Sequence, residues 1–207
     1  MWGHGVFRSA NGGKHWERAG DGGTFSGNAN VARVVVARDH SVYALVTGKR
    51  EGPGLSDLGG LIRTRDAGAT WSRCELAGPA RGFVRDVAID PENAEHVLVT
   101  ASDFGGGRGG VLESADGGRT ATLRRPQALD GPEVVEFYGV GFGGSSNEVW
   151  LTTEEHGTFV GRDAASFTEL PLPFLSTHRV ERGADGVKYV TTFGGGVLRV
   201  TTAQVTP

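Results

Sequence analysis

The sequence predicts an all-β fold, a β-propeller of four-stranded antiparallel blades. Three observations carry that prediction: the glycine content, a motif that returns along the chain, and short apolar runs with strand alternation. Glycine supplies 35 of 207 residues. No Gly-X-Y period accompanies it, which excludes collagen. The glycines cluster between short apolar runs, as many tight turns between many short strands require.

The returning motif is a Gly, two apolar residues, often an Arg, then Ser or Thr. It reads Gly5-Val6-Phe7-Arg8-Ser9, Gly60-Leu61-Ile62-Arg63-Thr64 and Gly110-Val111-Leu112-Glu113-Ser114. Weaker copies begin at Gly157 and Gly196. A four-stranded blade needs roughly 40–50 residues, so the spacing fits one copy per blade.

A second pattern follows each copy. Thr64-Arg65-Asp66-Ala67-Gly68-Ala69-Thr70-Trp71 matches Ser/Thr-x-Asp-x-Gly-x-Thr-Trp throughout. Ser114, Asp116, Gly118 and Thr120 keep the pattern, with Ala121 in place of Trp. Ser9, Asn11, Gly13 and Trp16 keep it with Asn for Asp and His15 for Thr. Around Asp163 the pattern is one residue short and lacks its Gly. An Asp or Asn just past a strand accepts bonds from its own turn's N–H groups. Gly supplies the positive φ of such a turn, and the aromatic residue packs sideways. Asn11, Asp66, Asp116 and Asp163 therefore read as turn-stabilising groups, not catalysts.

These segments resemble the Asp box of the bacterial neuraminidase (BNR) repeat. That repeat occurs in sialidases, xyloglucan-cleaving glycoside hydrolases, the sortilin family and a photosystem assembly factor. The resemblance implies a propeller along nearly the whole chain, an extracellular or periplasmic setting, and a ligand face opposite the boxes.

Repeat units fall at about 1–20, 31–76, 82–125, 133–171 and 175–207. Alternation and β-branched content place strands A to D of the second unit at Ala32–Ala37, Val42–Val46, Leu61–Thr64 and Thr70–Glu75. Those of the third are Val84–Ile89, His96–Ala101, Gly110–Ser114 and Thr120–Arg124. Those of the fourth are Val134–Gly139, Val149–Thr153, Thr158–Val160 and Ser166–Leu170. The first unit supplies only strands C and D, and the last only A, B and C. Two arrangements satisfy these ends: a closing blade in a four-bladed ring, or a partial propeller whose further blades are missing from this chain. The second is preferred: three full blades plus two incomplete terminal ones.

Composition narrows the partners. The formal net charge of −3 gives no electrostatic case for nucleic acid or an anionic membrane. No apolar run approaches a membrane span. Residues 1–5 lack the charged and apolar regions of a secretory signal. Cys74 is the lone cysteine, and the histidines show no metal-ligand spacing. No metal and no cofactor is expected.

Strand parity separates two faces. The A–B and C–D turns share one face, and the B–C loops and D–A links share the other. The boxes are C–D turns, so ligand candidates belong to the second face. The long loop 47–59 contains Asp57, and the next contains Asp103, Phe104 and Arg108. Glu154, Glu155 and His156 form a third, and residues 21–28 a long polar link. Carboxylates beside aromatic rings suit a sugar. Asp103 and Asp57, each beside a Gly run, are the catalytic candidates. Glu154, Glu155, His156, Arg108 and Phe104 are the ligand-binding candidates. Ser102-Asp103-Phe104-Gly105-Gly106 loosely resembles the Gly-Asp-x-Gly-Gly stretch around a catalytic Asp of xyloglucan-cleaving enzymes, with Ser102 replacing the first Gly. The bland reading is that Asp-x-Gly-Gly simply turns into strand C. The sialidase resemblance would imply an Arg-Ile-Pro stretch and a Tyr–Glu pair. No Arg-Ile-Pro occurs.

Two functions remain. One is a module that binds a glycan or protein through its B–C and D–A loop face. The other is a glycoside hydrolase, xyloglucanase-like or sialidase-like, acting on extracellular polysaccharide as part of a longer chain. Hydrolysis needs two carboxylates about 5–10 Å apart. In the xyloglucan-cleaving enzymes the pair comes from separate domains.

Overall fold

The computed structural model describes residues 3–20, 27–52, 54–76, 83–103 and 107–200. They form five antiparallel sheets. The first pairs β1 (Phe7–Arg8) with β2 (Glu17–Arg18). The second holds β3 (Val31–Val36), β4 (Val42–Glu51), β5 (Gly54–Thr64) and β6 (Ser72–Cys74). The third holds β7 (Phe83–Ile89), β8 (Val97–Ser102), β9 (Gly110–Ser114) and β10 (Thr122–Arg124). The fourth holds β11 (Glu136–Phe142), β12 (Val149–Glu154), β13 (Thr158–Gly161) and β14 (Phe167–Leu170). The fifth holds β15 (Thr177–Arg182), β16 (Lys188–Thr192) and β17 (Val197–Val200). Within every sheet the spatial order is the chain order, read in one direction or the other, which makes each an up-and-down meander, with strands A to D all present in the second, third and fourth.

Two local expectations are corrected. The stretch 47–59 is not an open loop. β4 and β5 stay paired through Thr47↔Gly59 and Lys49↔Asp57 to Glu51↔Gly54. Gly, Pro and charge disfavour strands statistically, but ladder hydrogen bonds ignore side-chain identity, and Gly52 at φ +66° serves the turn. In the fourth sheet strand A begins at Glu136, not Val134, and a one-residue bulge interrupts its pairing between Phe137 and Val140. The link to that sheet carries a 3-10 turn at Gln127–Leu129. Residues 21–26 and Phe104 lie outside the described residues.

The core lies between the sheets. Tyr43, Leu45 and Leu61 of the second sheet pack with Val87, Val99 and Leu112 of the third. Leu98 and Val111 pack with Phe137, Leu151 and Phe159 of the fourth. Trp150 and Leu170 pack with Val190 of the fifth. Fully burying one such side chain contributes about 1.5–3 kcal/mol. The polar ends of the two largest buried aromatic side chains are matched: Tyr43 Oη donates to the Ala94 carbonyl at 2.9 Å, and Trp150 Nε1 to Glu148 Oε1 at 2.8 Å.

The C–D corners tie neighbouring sheets together. Thr64 Oγ1 accepts the Gly68 N–H at 2.9 Å and donates to Asp66 Oδ1 at 2.7 Å. Asp66 accepts the Thr70 N–H at 2.9 Å and the Thr70 hydroxyl at 2.6 Å. Ser114, Asp116, Gly118 and Thr120 repeat these bonds at 2.7–2.9 Å. Ser9, Asn11 and Gly13 repeat the backbone part, with the His15 N–H on Asn11 Oδ1 at 2.8 Å. Gly68 and Gly118 sit at φ +87° and +90°. A Cβ on either would lie 2.7 Å from the Cβ of Ala19 or Cys74, at the end of the preceding sheet. The corner thus presses on its neighbour, and Trp71 Nε1 donates across to the Ala19 carbonyl at 3.0 Å.

Candidate functional site

Each inner strand carries the same irregularity. The A–B register shifts between Val31 and Arg33, Val84 and Asp86, Phe137 and Val140, and Thr177 and Arg179. Aligned on the shift, Ala32, Arg85, Tyr138 and His178 occupy one position, and Arg33, Asp86, Gly139 and Arg179 the next. Such bulges re-aim side chains. Threonines of strand B hold the bulges: Thr100 Oγ1 donates to the Tyr138 carbonyl, and Thr152 Oγ1 to the His178 carbonyl, both at 2.9 Å.

The re-aimed side chains meet at the end of the inner strands nearest the B–C loops. The Arg85 guanidinium lies 4.7 Å from the Phe83 ring centroid and 4.9 Å from that of Tyr138. The Tyr138 centroid is 5.5 Å from that of His178 and 4.9 Å from that of Phe193. His178 and Phe193 are 5.2 Å apart, edge to face. Phe193 is 45% exposed. Arg85 is paired with Glu136 at 2.7 Å. Burial pushes the Tyr138 hydroxyl up, Arg85 opposes the shift, and Glu154 and Glu136 add to it. Burial also lowers His178, with Arg179 adding and Asp86 opposing, a shift towards the neutral ring. One layer deeper, buried Asp86 lies 3.1 Å from Arg33 Nε and 3.3 Å from Arg179 Nη2. The mouth therefore offers aromatic faces and carboxylates, and its arginines are already paired.

The residues expected from sequence are distributed unevenly. Glu154, at the end of β12, joins this group beside Tyr138. Glu155 turns away at φ +64°, exposed, with its N–H on Ser176 Oγ at 3.1 Å. His156 Nδ1 lies 2.8 Å from the Glu154 carbonyl, and Nε2 3.4 Å from Glu133. Asp103 is buried elsewhere. Its carboxylate takes Arg125 Nη1 at 2.8 Å and Nη2 at 3.1 Å, the Val135 N–H at 3.0 Å, and the Gly109 N–H. Burial pushes this carboxyl up, but Arg125 and the two N–H donors hold it below the usual range. Those bonds give Asp103 the geometry of an anchor between the B–C loop and the D–A link. Asp57 accepts the Gly59 N–H at 2.5 Å, the amide equivalent to that of Gly109. Arg108 Nη1 reaches the Gly131 carbonyl at 2.7 Å and Nη2 reaches Asp130 at 3.2 Å. Arg85, Tyr138 and His178 are absent from the sequence-based candidates, whereas Phe193 opens the last B–C loop, residues 193–195, on the face expected to bind. The one available signal was a polar or aromatic residue, Arg85, Tyr138 or His178, interrupting three of the four inner strands two places before the apolar run. Among the described residues, no cluster of three or more His, Cys, Asp or Glu could hold a metal, and no helix is long and apolar enough to cross a membrane.

No family model matches the chain, and no curated protein matches it. Solved structures do. The GH74 enzyme of Niastella koreensis superposes with a TM-score of 0.73 at 19% identity, covering 100% of this chain and 34% of the enzyme. The fold is a partial β-propeller. The propeller likeness extends to the GH74 xyloglucanase of Xanthomonas campestris, with a TM-score of 0.65 at 18% identity over 96% of this chain and 32% of the enzyme. It also extends to PorZ, a surface component of the type-IX secretion system of Porphyromonas gingivalis, at 0.69 and 14% over 98% of this chain and 30% of PorZ. The chain spans about a third of each. In this propeller the mouth group occupies the end of the inner strands opposite the Thr64–Trp71 and Ser114–Ala121 corners.

Proposed function

We propose that this partial propeller is an Asp-box module that binds a glycan or a protein through its B–C and D–A loop face, with a neutral sugar as the best-suited ligand. The supporting observation is the Tyr138–His178–Phe193 ring cluster with Glu154 at its side. Ring faces stack on the apolar side of a pyranose, and carboxylates accept from its hydroxyls. An acidic sugar suits this mouth poorly. Arg85 is committed to Glu136, and Arg33 and Arg179 to Asp86.

The test is calorimetric titration with neutral β-glucan and xyloglucan oligosaccharides. Saturable binding that Tyr138→Ala and Phe193→Ala each weaken at least tenfold supports the reading. Binding that neither variant alters sinks it.

The second reading is a glycoside hydrolase, favoured by the likeness to two GH74 enzymes. Reducing-sugar release from the same polysaccharides separates the two. Binding without release supports the module, and release that Glu154→Gln abolishes supports the hydrolase.

A further inference from the structure

Inner strands in this protein rest on the sheet before them. β7 packs against β4, β11 against β8, and β15 against β12. Val87 and Val140, at the same register in β7 and β11, are accordingly 0% and 3% exposed. Val34 holds that register in β3 and is 46% exposed. Val36, the counterpart of Ile89, is 65% exposed. Among the described residues the first sheet consists of β1 and β2, which gives β3 no strand B to rest on there.

The same place is hollow. A cavity of about 500 Å³ opens there, lined by Gly3, Gly5, Phe7, Val31 and Ala32 among others. Phe7 is itself exposed. In the second, third and fourth sheets the strands equivalent to β1 are paired on both edges: β5 lies between β4 and β6, β9 between β8 and β10, and β13 between β12 and β14. Among the described residues β1 is paired with β2 and with no other strand. An open strand edge beside an apolar surface is a template for strand addition.

We infer that this slot is a docking site for a two-stranded β-hairpin of the A–B type that the chain builds four times. One strand of the hairpin adds antiparallel to the free edge of β1. Its apolar residues, every second position, cover Val34 and fill the hollow beside Phe7 and Val31. The repeat itself specifies this occupant, because the equivalent surface of each later sheet is covered by such a hairpin. A second folded copy has none to give: β4, β8, β12 and β16 are each already paired with their own strand C.

The test uses the full chain and a synthetic peptide with the sequence of residues 83–102, the third sheet's own hairpin. Hydrogen exchange is followed at the amides of residues 5–8 and 31–36. Saturable one-to-one binding that slows those amides about tenfold or more, and that Val34→Glu abolishes with the far-ultraviolet spectrum unchanged, supports the inference. Isolated hairpins are marginally stable, so a second arm joins the same hairpin ahead of residue 1 through a flexible Gly/Ser linker and repeats the exchange measurement. Unchanged exchange in both arms overturns the inference, as does slowing that survives Val34→Glu. Concentration-dependent dimers that protect residues 31–36 without any peptide also overturn it, by assigning the slot to a second copy.

Discussion

Asp86 Oδ1 lies 3.3 Å from Arg179 Nη2, joining inner strands 93 residues apart. Arg33 approaches the same oxygen at 3.1 Å from the second sheet, and its Nη2 reaches Glu181 of the fifth at 3.3 Å. One buried carboxylate thus holds the second, third and fifth sheets together. Burial pushes that carboxyl up, and the two arginines oppose the shift. Removing one member of a buried ion pair typically costs about 3–5 kcal/mol. Asp86→Ala is expected to destabilise the fold by about 3 kcal/mol or more in urea titration, and Asp86→Asn by less. A loss below about 1 kcal/mol would contradict the hub role.

The corner carboxylates predict acid sensitivity. Hydrogen bonds from the Thr70 hydroxyl and N–H hold Asp66 far below the usual carboxylate range. Bonds from Thr120 hold Asp116 at about 2. A carboxyl depressed in the folded state stabilises it fully above its unfolded value near 3.8, and that stability fades as pH falls towards the folded value. Melting temperature is therefore expected to drop between about pH 4 and pH 2. The double variant Asp66→Asn/Asp116→Asn should melt lower than wild type at neutral pH and lose less over that window. Parallel pH profiles would refute the assignment. Asn11 is the natural precedent, since its side-chain oxygen still accepts the His15 N–H.

The architecture was legible because its signals are local. Ser/Thr-x-Asp-x-Gly segments specify corners through bonds that span four residues, and β-branched runs specify the strands between them. The mouth was not legible, because Arg85, Tyr138 and His178 meet only through the sheet-to-sheet packing and a bulge that alternation cannot reveal. Asp103 was legible only in part. Its flanking glycines suggested access for a ligand, while the group that engages it, Arg125, comes 22 residues later.

Trp71 and Trp16 occupy one corner position in successive sheets with opposite surroundings. Trp71 is half-buried and donates to Ala19 of the preceding sheet. Trp16 is 58% exposed and donates to its own Gly13 at 3.0 Å. Trp71→Phe is expected to cost about 1 kcal/mol, the net worth of one hydrogen bond. Trp16→Phe should stay within about 0.5 kcal/mol of wild type. Chemical denaturation of the two variants side by side gives the comparison, and equal losses would show that the corner does not clamp its neighbour.

Asp103 separates an anchor from a catalyst. Both its carboxylate and Arg125 are buried, at 7% and 8% exposure, in a two-pronged pair. Asp103→Ala leaves Arg125 without its counter-charge, at an expected cost of about 3 kcal/mol or more. Asp103→Asn retains one acceptor for the Val135 N–H and should cost less. The Tyr138–Phe193 mouth does not include this carboxylate, so Asp103→Asn that remains folded should bind oligosaccharide as wild type does. Calorimetry on the folded Asn variant, with urea titration on both, reads the two effects separately. Wild-type stability together with abolished hydrolysis would return Asp103 to the catalytic role that its Gly-rich surroundings suggest.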